Sequence, residues 1–229
     1  WAGGAPAAVD IALPVGKGHF APRLSGCEVH LGRLRRENRD MRMFVGITPP
    51  ESAIEDLDAF LEPRREYAAL RWSDPEQFHV TLAFCPDVPD HALDAFGERL
   101  AEVAARHPRF AMRITGGGAF PDPDRAKVLY AALDTDRDRL TALALGCRTA
   151  AAVSGVEVAG GPYHPHVTVA RSGRPVSAMR WLRILDAYGG PSFEVEEFHL
   201  VASHLGQGRE RRPRYEIVET FTLGATATR

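Results

Sequence analysis

The chain has 229 residues, 45% of them hydrophobic and 25% charged, the balance of a folded globular protein and outside the range of disordered or collagen-like sequences. With 28 basic and 30 acidic residues the formal charge is −2, so no global field draws the chain to duplex DNA or an anionic membrane, and any nucleic-acid contact has to be local. Nothing resembles a signal peptide or an apolar run of roughly 18 residues, and three separated cysteines (Cys27, Cys85, Cys147) imply neither a disulfide framework nor a zinc clip, which together predict a cytoplasmic protein.

Residues 1–40 are rich in Gly, Ala, Pro and Arg and hold neither a helical nor a strand period, which predicts a poorly ordered extension upstream of a natural start at Met41. A basic arm through Arg33, Arg35, Arg36 and Arg39 is the functional alternative for that stretch. The folded domain is expected over residues 41–224, with 225–229 as a tail. A first strand is predicted at Phe44–Ile47, and a helix follows Pro49-Pro50-Glu51 on apolar positions Ile54, Leu57, Phe60 and Leu61. Next come a strand at Gln77–Phe84, a helix near Asp90–Arg106, strands at Phe110–Thr115 and Lys127–Leu133 around a Gly/Pro-rich turn, and a helix at Arg137–Val153. Tyr163–Arg171 reads as a strand, Val176–Tyr188 as a helix, and Phe193–Ser203 and Tyr215–Leu223 as strands joined by an arginine-rich connection. Without strict βαβ alternation, this order predicts an α+β fold of antiparallel sheet with flanking helices.

One short pattern occurs twice. Phe78-His79-Val80-Thr81-Leu82-Ala83 and Pro165-His166-Val167-Thr168-Val169-Ala170 place their histidines 87 residues apart, each inside a β-like run. Side chains alternate across a strand, so His79 and Thr81, or His166 and Thr168, share a face while the intervening valine turns to the core. Two such strands related by a pseudo-two-fold axis form two lobes with a cleft between them and two imidazoles facing a shared ligand. That arrangement suits displacement at phosphorus, one imidazole removing a proton from the attacking oxygen and the other protonating the leaving oxygen. Histidine fits because its unperturbed pKa of about 6.5 lets one copy be neutral and the other charged near neutral pH. A lone His-x-Thr is more often a hydrogen-bonded structural pair; the repetition at matching places in two halves favours the catalytic reading.

At these residues the chain resembles the two-histidine (2H) phosphoesterase superfamily, specifically the bacterial RNA 2′,3′-cyclic phosphodiesterases also called 2′-5′ RNA ligases. The resemblance extends from Met41 to Leu223 and includes the opening Arg42-Met43-Phe44-Val45-Gly46-Ile47, both His-x-Thr segments, and Val201-Ala-Ser-His204 through Arg209 to Tyr215. The sequence departs from the family at Cys85-Pro86, where Leu-Gly is common, and at Val169, where Leu is common. The resemblance implies that His79 is the general acid and His166 the general base that activates water. It further implies that Thr81 and Thr168 hold the phosphate and that a terminal 2′,3′-cyclic phosphate opens to a 2′-phosphomonoester. No metal or organic cofactor is implied, and weak reverse 2′-5′ joining is permitted. The partner is then an RNA end, acted on by a monomer, with no membrane or duplex DNA involved. Competing readings are a relative acting on a small cyclic phosphate such as ADP-ribose 1″,2″-cyclic phosphate, and a non-catalytic RNA-binding relative.

Further candidates follow from position. Arg171 lies five residues after His166, where the family tends to have arginine, but the odd offset puts it on the opposite face unless the strand ends or bulges. His164 shares the parity of His166, and Tyr163, Phe84 and Trp72 flank the motifs as possible stacking surfaces. Arg209, Arg211, Arg212 and Arg214 form the densest basic patch, able to track an RNA backbone or to sit as a solvated hairpin tip. Zinc on His79, His164 and His166 is disfavoured by the lack of a nearby carboxylate or cysteine pair. His91, His107, His199 and His204 have no motif around them.

Overall fold

A computed structural model describes residues 40–67, 70–208 and 213–224. The expected extension therefore lies, up to residue 39, outside the described residues, as do the tail after Gly224 and Arg209, Arg211 and Arg212. Nine strands are described: β1 (Asp40–Ile47), β2 (Arg71–Trp72), β3 (Val80–Pro89), β4 (Phe110–Phe120), β5 (Ala126–Thr135), β6 (Val167–Val176), β7 (Gly189–Val195), β8 (Glu197–His204) and β9 (Arg214–Thr222). Four α-helices accompany them: α1 (Glu51–Leu61), α2 (Leu93–Arg106), α3 (Arg137–Val153) and α4 (Met179–Leu185).

Local chemistry sets most of these boundaries. Pro50, extended at φ −64°, precedes α1, whose Glu51 complements the helix dipole. The Asp136 side chain accepts a hydrogen bond from the Arg139 backbone N–H and so caps α3. α2 buries Phe96, Leu100 and Val103, three and four residues apart, on one face. Burying a side chain as large as Phe96 contributes about 1.5–3 kcal/mol.

The strands form one antiparallel sheet in the order β7-β4-β5-β6-β3-β1-β8-β9, with β2 also pairing β6. Its middle is its narrowest seam, for β6 and β3 share the single described pair Val80–Val167. Four strands stand on either side of that seam, so the sheet is two curled halves joined edge to edge. Helices cross it: α1, from the first half, packs on β7 in the second, and α3, from the second, packs on β3 in the first.

Four expectations need correction, one being the strand read as Tyr163–Arg171, which begins only at Val167 and leaves His166 just ahead of it, as His79 lies just ahead of β3. The strand read as Gln77–Phe84 begins at Val80, because Pro75–Gln77 forms a 3-10 turn behind Asp74. The helix read as Val176–Tyr188 shrinks to Met179–Leu185, since β6 runs on through Pro175 to Val176. The run Phe193–Ser203 is two strands on opposite outer parts of the sheet: β7 pairs β4, whereas β8 pairs β1 and β9. Glu196 is where the chain changes halves, and the sequence marks it only by a shift of apolar parity, from Phe193 and Val195 to Phe198 and Leu200.

Candidate active site

The seam positions both motifs. With Val80 opposite Val167, continuing the register one residue each way sets His79 across from Thr168 and Thr81 across from His166. Directly opposed residues share a face and sequence neighbours take the other. Both imidazoles and both hydroxyls therefore lie on the face opposite Val80 and Val167, which are 0% exposed. The histidines are diagonal neighbours across an antiparallel pair, a relation that sets residues roughly 7–8 Å apart, and the charge of His166 bears on His79. All four side chains are partly buried.

Each ring is oriented by the same device. His79 Nδ1 bonds the carbonyl oxygen of Gln77 at 2.7 Å, and His166 Nδ1 bonds that of His164 at 2.6 Å. A carbonyl oxygen only accepts, so Nδ1 holds the proton and Nε2 is left to take or give one. Gln77 is itself tied down, its Nε2 donating to the Pro213 carbonyl at 2.7 Å. Aromatic side chains wall both imidazoles: Phe44 stacks on His79 at 4.4 Å and Tyr215 meets it edge-on at 5.4 Å. Phe120 stands edge-on to His166 at 5.0 Å and Tyr130 tilts against it at 5.1 Å. None of these four aromatics was singled out as a site residue from the sequence, because β1, β4, β5 and β9 bring them in from distant segments.

The surroundings disfavour a positive charge on either ring. Burial pushes the His79 imidazolium down to about 4; the Gln77 carbonyl opposes this, and the charges of His166 and Arg171 reinforce it. Burial also lowers His166, with the His164 carbonyl opposing and Arg171 and His164 adding to the effect.

Arg171 reaches this face through a bulge. Leu129 pairs with Ala170 but Tyr130 pairs with Thr168, leaving Val169 unmatched in β6. The first half repeats the irregularity: Val45 pairs with Ala83 and Gly46 with Thr81, leaving Leu82 unmatched in β3. Each bulge falls three residues after its histidine and resets the alternation. Ala170 is buried and Arg171 exposed, so Arg171 joins the face of His166 and Thr168, and the parity argument against it does not apply. Its charge bears on His79, His166 and Tyr215 alike.

The other flanking candidates scatter. Phe84 is partly buried beneath the Arg42 guanidinium, 4.7 Å from its ring centre. His164 is exposed and tilts against Phe120 at 5.9 Å, while its carbonyl orients His166. Tyr163 turns the other way, packed against the hydrophobic core with its hydroxyl buried. Trp72 is 8% exposed and packs edge-on against Trp181 at 5.3 Å. Arg214 bonds Glu216 at 3.1 Å, as His204 does at 2.9 Å, and His199 is buried against Thr220. Among the described residues no group of three His, Cys, Asp or Glu side chains is placed to hold a metal ion, and no helix is long and apolar enough to cross a membrane.

A two-lobed antiparallel sheet with a His-x-Thr strand from each lobe at the seam is the architecture of the two-histidine phosphoesterases. The sequence profile of the 2′-5′ RNA ligase superfamily matches residues 28–207, and the chain belongs to that family. An RNA 2′,3′-cyclic phosphodiesterase from Thermus thermophilus is 29% identical over 190 residues, spanning 80% of this chain and 90% of the relative. One from Aeropyrum pernix is 32% identical over 152 residues, 65% of this chain and 85% of its own. Among solved structures, TT0787 of Thermus thermophilus superposes with a TM-score of 0.64 at 25% identity over 81% of this chain and 99% of that one. The E. coli LigT complex with 3′-AMP has the same fold, with a TM-score of 0.64 at 24% identity over 80% and 98%.

Proposed function

We propose that this chain is an RNA 2′,3′-cyclic phosphodiesterase that opens a terminal 2′,3′-cyclic phosphate to a 2′-phosphomonoester by two-histidine acid/base catalysis. The observation behind this reading is the paired geometry: two imidazoles, each with Nδ1 held by a carbonyl, on one face across a two-fold seam. Curated relatives named for this activity support it. His166 takes a proton from water as the water oxygen attacks phosphorus. The bond from phosphorus to the 3′ oxygen breaks, and His79 gives that oxygen its proton. Thr81 and Thr168 donate to the non-bridging oxygens, and Arg171 offsets their negative charge. Run backwards, the same chemistry joins ends weakly through a 2′-5′ bond. The protein acts as a cytoplasmic monomer on RNA ends.

The low proton affinity that burial gives His79 favours a second assignment, in which His79 is the base and His166 the acid. A phosphate anion between the rings raises both proton affinities and restores His79 as a donor. Leaving-group dependence separates the two. An aryl phosphodiester, whose leaving group needs no proton, recovers activity in the variant that lacks the acid. Greater recovery in His79→Ala than in His166→Ala supports the first assignment, and the reverse supports the second.

A further inference from the structure

β2 is two residues long, and its Trp72 is anchored in the core against Trp181 while Arg71 turns the other way and is exposed. Arg71 lies directly opposite Arg171 across the β2–β6 pair, with Trp72 opposite Ala170. Trp72 and Ala170 are both buried, so the two guanidinium groups share the other face, the one that presents Thr168 and His166. Like charges set directly opposite on a strand pair destabilise it by repulsion. Neither arginine takes part in the ion pairs formed between described residues. An anion lying between them relieves that repulsion, and a phosphate oxygen pair matches the arginine fork.

The position of the pair relative to the histidines is set by the sheet. β3 leaves the edge of β6 after Val167, and β2 takes up the same edge at Ala170 and Arg171. Of the two arginines it is Arg171 whose charge bears on both imidazoles. Arg71 stands one strand outward from it.

We propose that Arg71, with Arg171, forms a second phosphate subsite that binds the phosphodiester immediately 5′ of the reacting cyclic phosphate, so that the substrate is an oligonucleotide end in preference to a mononucleoside cyclic phosphate. This rests on the phosphodiesterase reading above. Arg171 bridges the reacting phosphate and its neighbour, while Arg71 touches only the neighbour.

The test compares a trinucleotide ending in a 2′,3′-cyclic phosphate with the mononucleoside 2′,3′-cyclic phosphate. In Arg71→Ala the ratio of their kcat/KM values is expected to fall about 10-fold, mainly through KM for the trinucleotide. The salt dependence of trinucleotide kcat/KM should become shallower by roughly 0.7 in log–log slope, the value for one lost single-strand phosphate contact. Arg71→Lys should keep the slope, and Arg99→Ala on α2 should alter neither quantity. An unchanged ratio in Arg71→Ala, or an equal loss on both substrates, overturns the proposal. If the parent protein turns over neither substrate, it is the phosphodiesterase reading that fails. The subsite is then judged by fluorescence anisotropy with a labelled trinucleotide carrying a 2′-phosphate, whose equal affinity for parent and Arg71→Ala would refute it.

Discussion

The two imidazoles are set by opposing influences at single residues. A carbonyl bond on Nδ1 fixes the tautomer of each ring, while burial resists the imidazolium. His79→Ala or His166→Ala is expected to lower turnover of a cyclic-ended oligonucleotide by at least ~100-fold while circular dichroism stays native. An undiminished rate in either variant contradicts the mechanism. Burial of the His79 imidazole also makes stability depend on pH. The unfolded chain takes up a proton below its ordinary pKa of 6.5, whereas the folded protein resists until about 4. In that window the unfolded state binds more protons, so stability falls as pH drops from about 6.5 towards 4, by on the order of 3 kcal/mol for this group. Urea midpoints across this range should show the decline, and His79→Ala should flatten it. The histidines and threonines were legible in the sequence because the pattern occurs twice. Arg171 was readable only with the bulge at Val169, which depends on pairing with β5 and leaves no mark in composition.

At the scale of elements, small residues let the walls of the cleft close. Gly118 on β4 pairs with Tyr130 on β5, and a Cβ there would overlap the Tyr130 ring, which stacks on Phe120 and tilts against His166. Gly118→Ala is therefore expected to cost about 1–3 kcal/mol in a thermal melt and to lower kcat as well, by displacing Tyr130. Gly173→Ala, whose Cβ would meet nothing within 4 Å, is the control and should change neither. Helix α3 was readable to the residue because Asp136 caps it and its apolar positions repeat at helical spacing. The division of Phe193–Ser203 into β7 and β8 left only a parity shift between Val195 and Phe198, and the separate partners of the two strands were not readable, since a strand period records which side chains face inward and says nothing of which neighbour the backbone bonds.

Across the whole molecule the two halves are interlocked. The chain leaves the first half after α2, builds β4 to β7, and returns for β8 and β9, while α1 and α3 each pack across the seam. Neither half has a separate core, so unfolding is expected to be a single cooperative step. Far-ultraviolet circular dichroism and tryptophan fluorescence, to which Trp72 and Trp181 beside β6 contribute, should give coincident urea transitions. Separated midpoints would show that the halves come apart independently.

From the sequence alone came the repeated His-x-Thr pattern, the shared face of each His and its Thr, and the α+β class, because these depend on local periodicity and on the chemistry of side chains a few residues apart. The tertiary structure decided which strands meet, that Val80 faces Val167, that the β6 bulge at Val169 turns Arg171 into the cleft, and that Arg71 stands beside it. Those outcomes come from hydrogen bonds between segments far apart in the chain, and the spacing of residues along one strand holds no information about its partner.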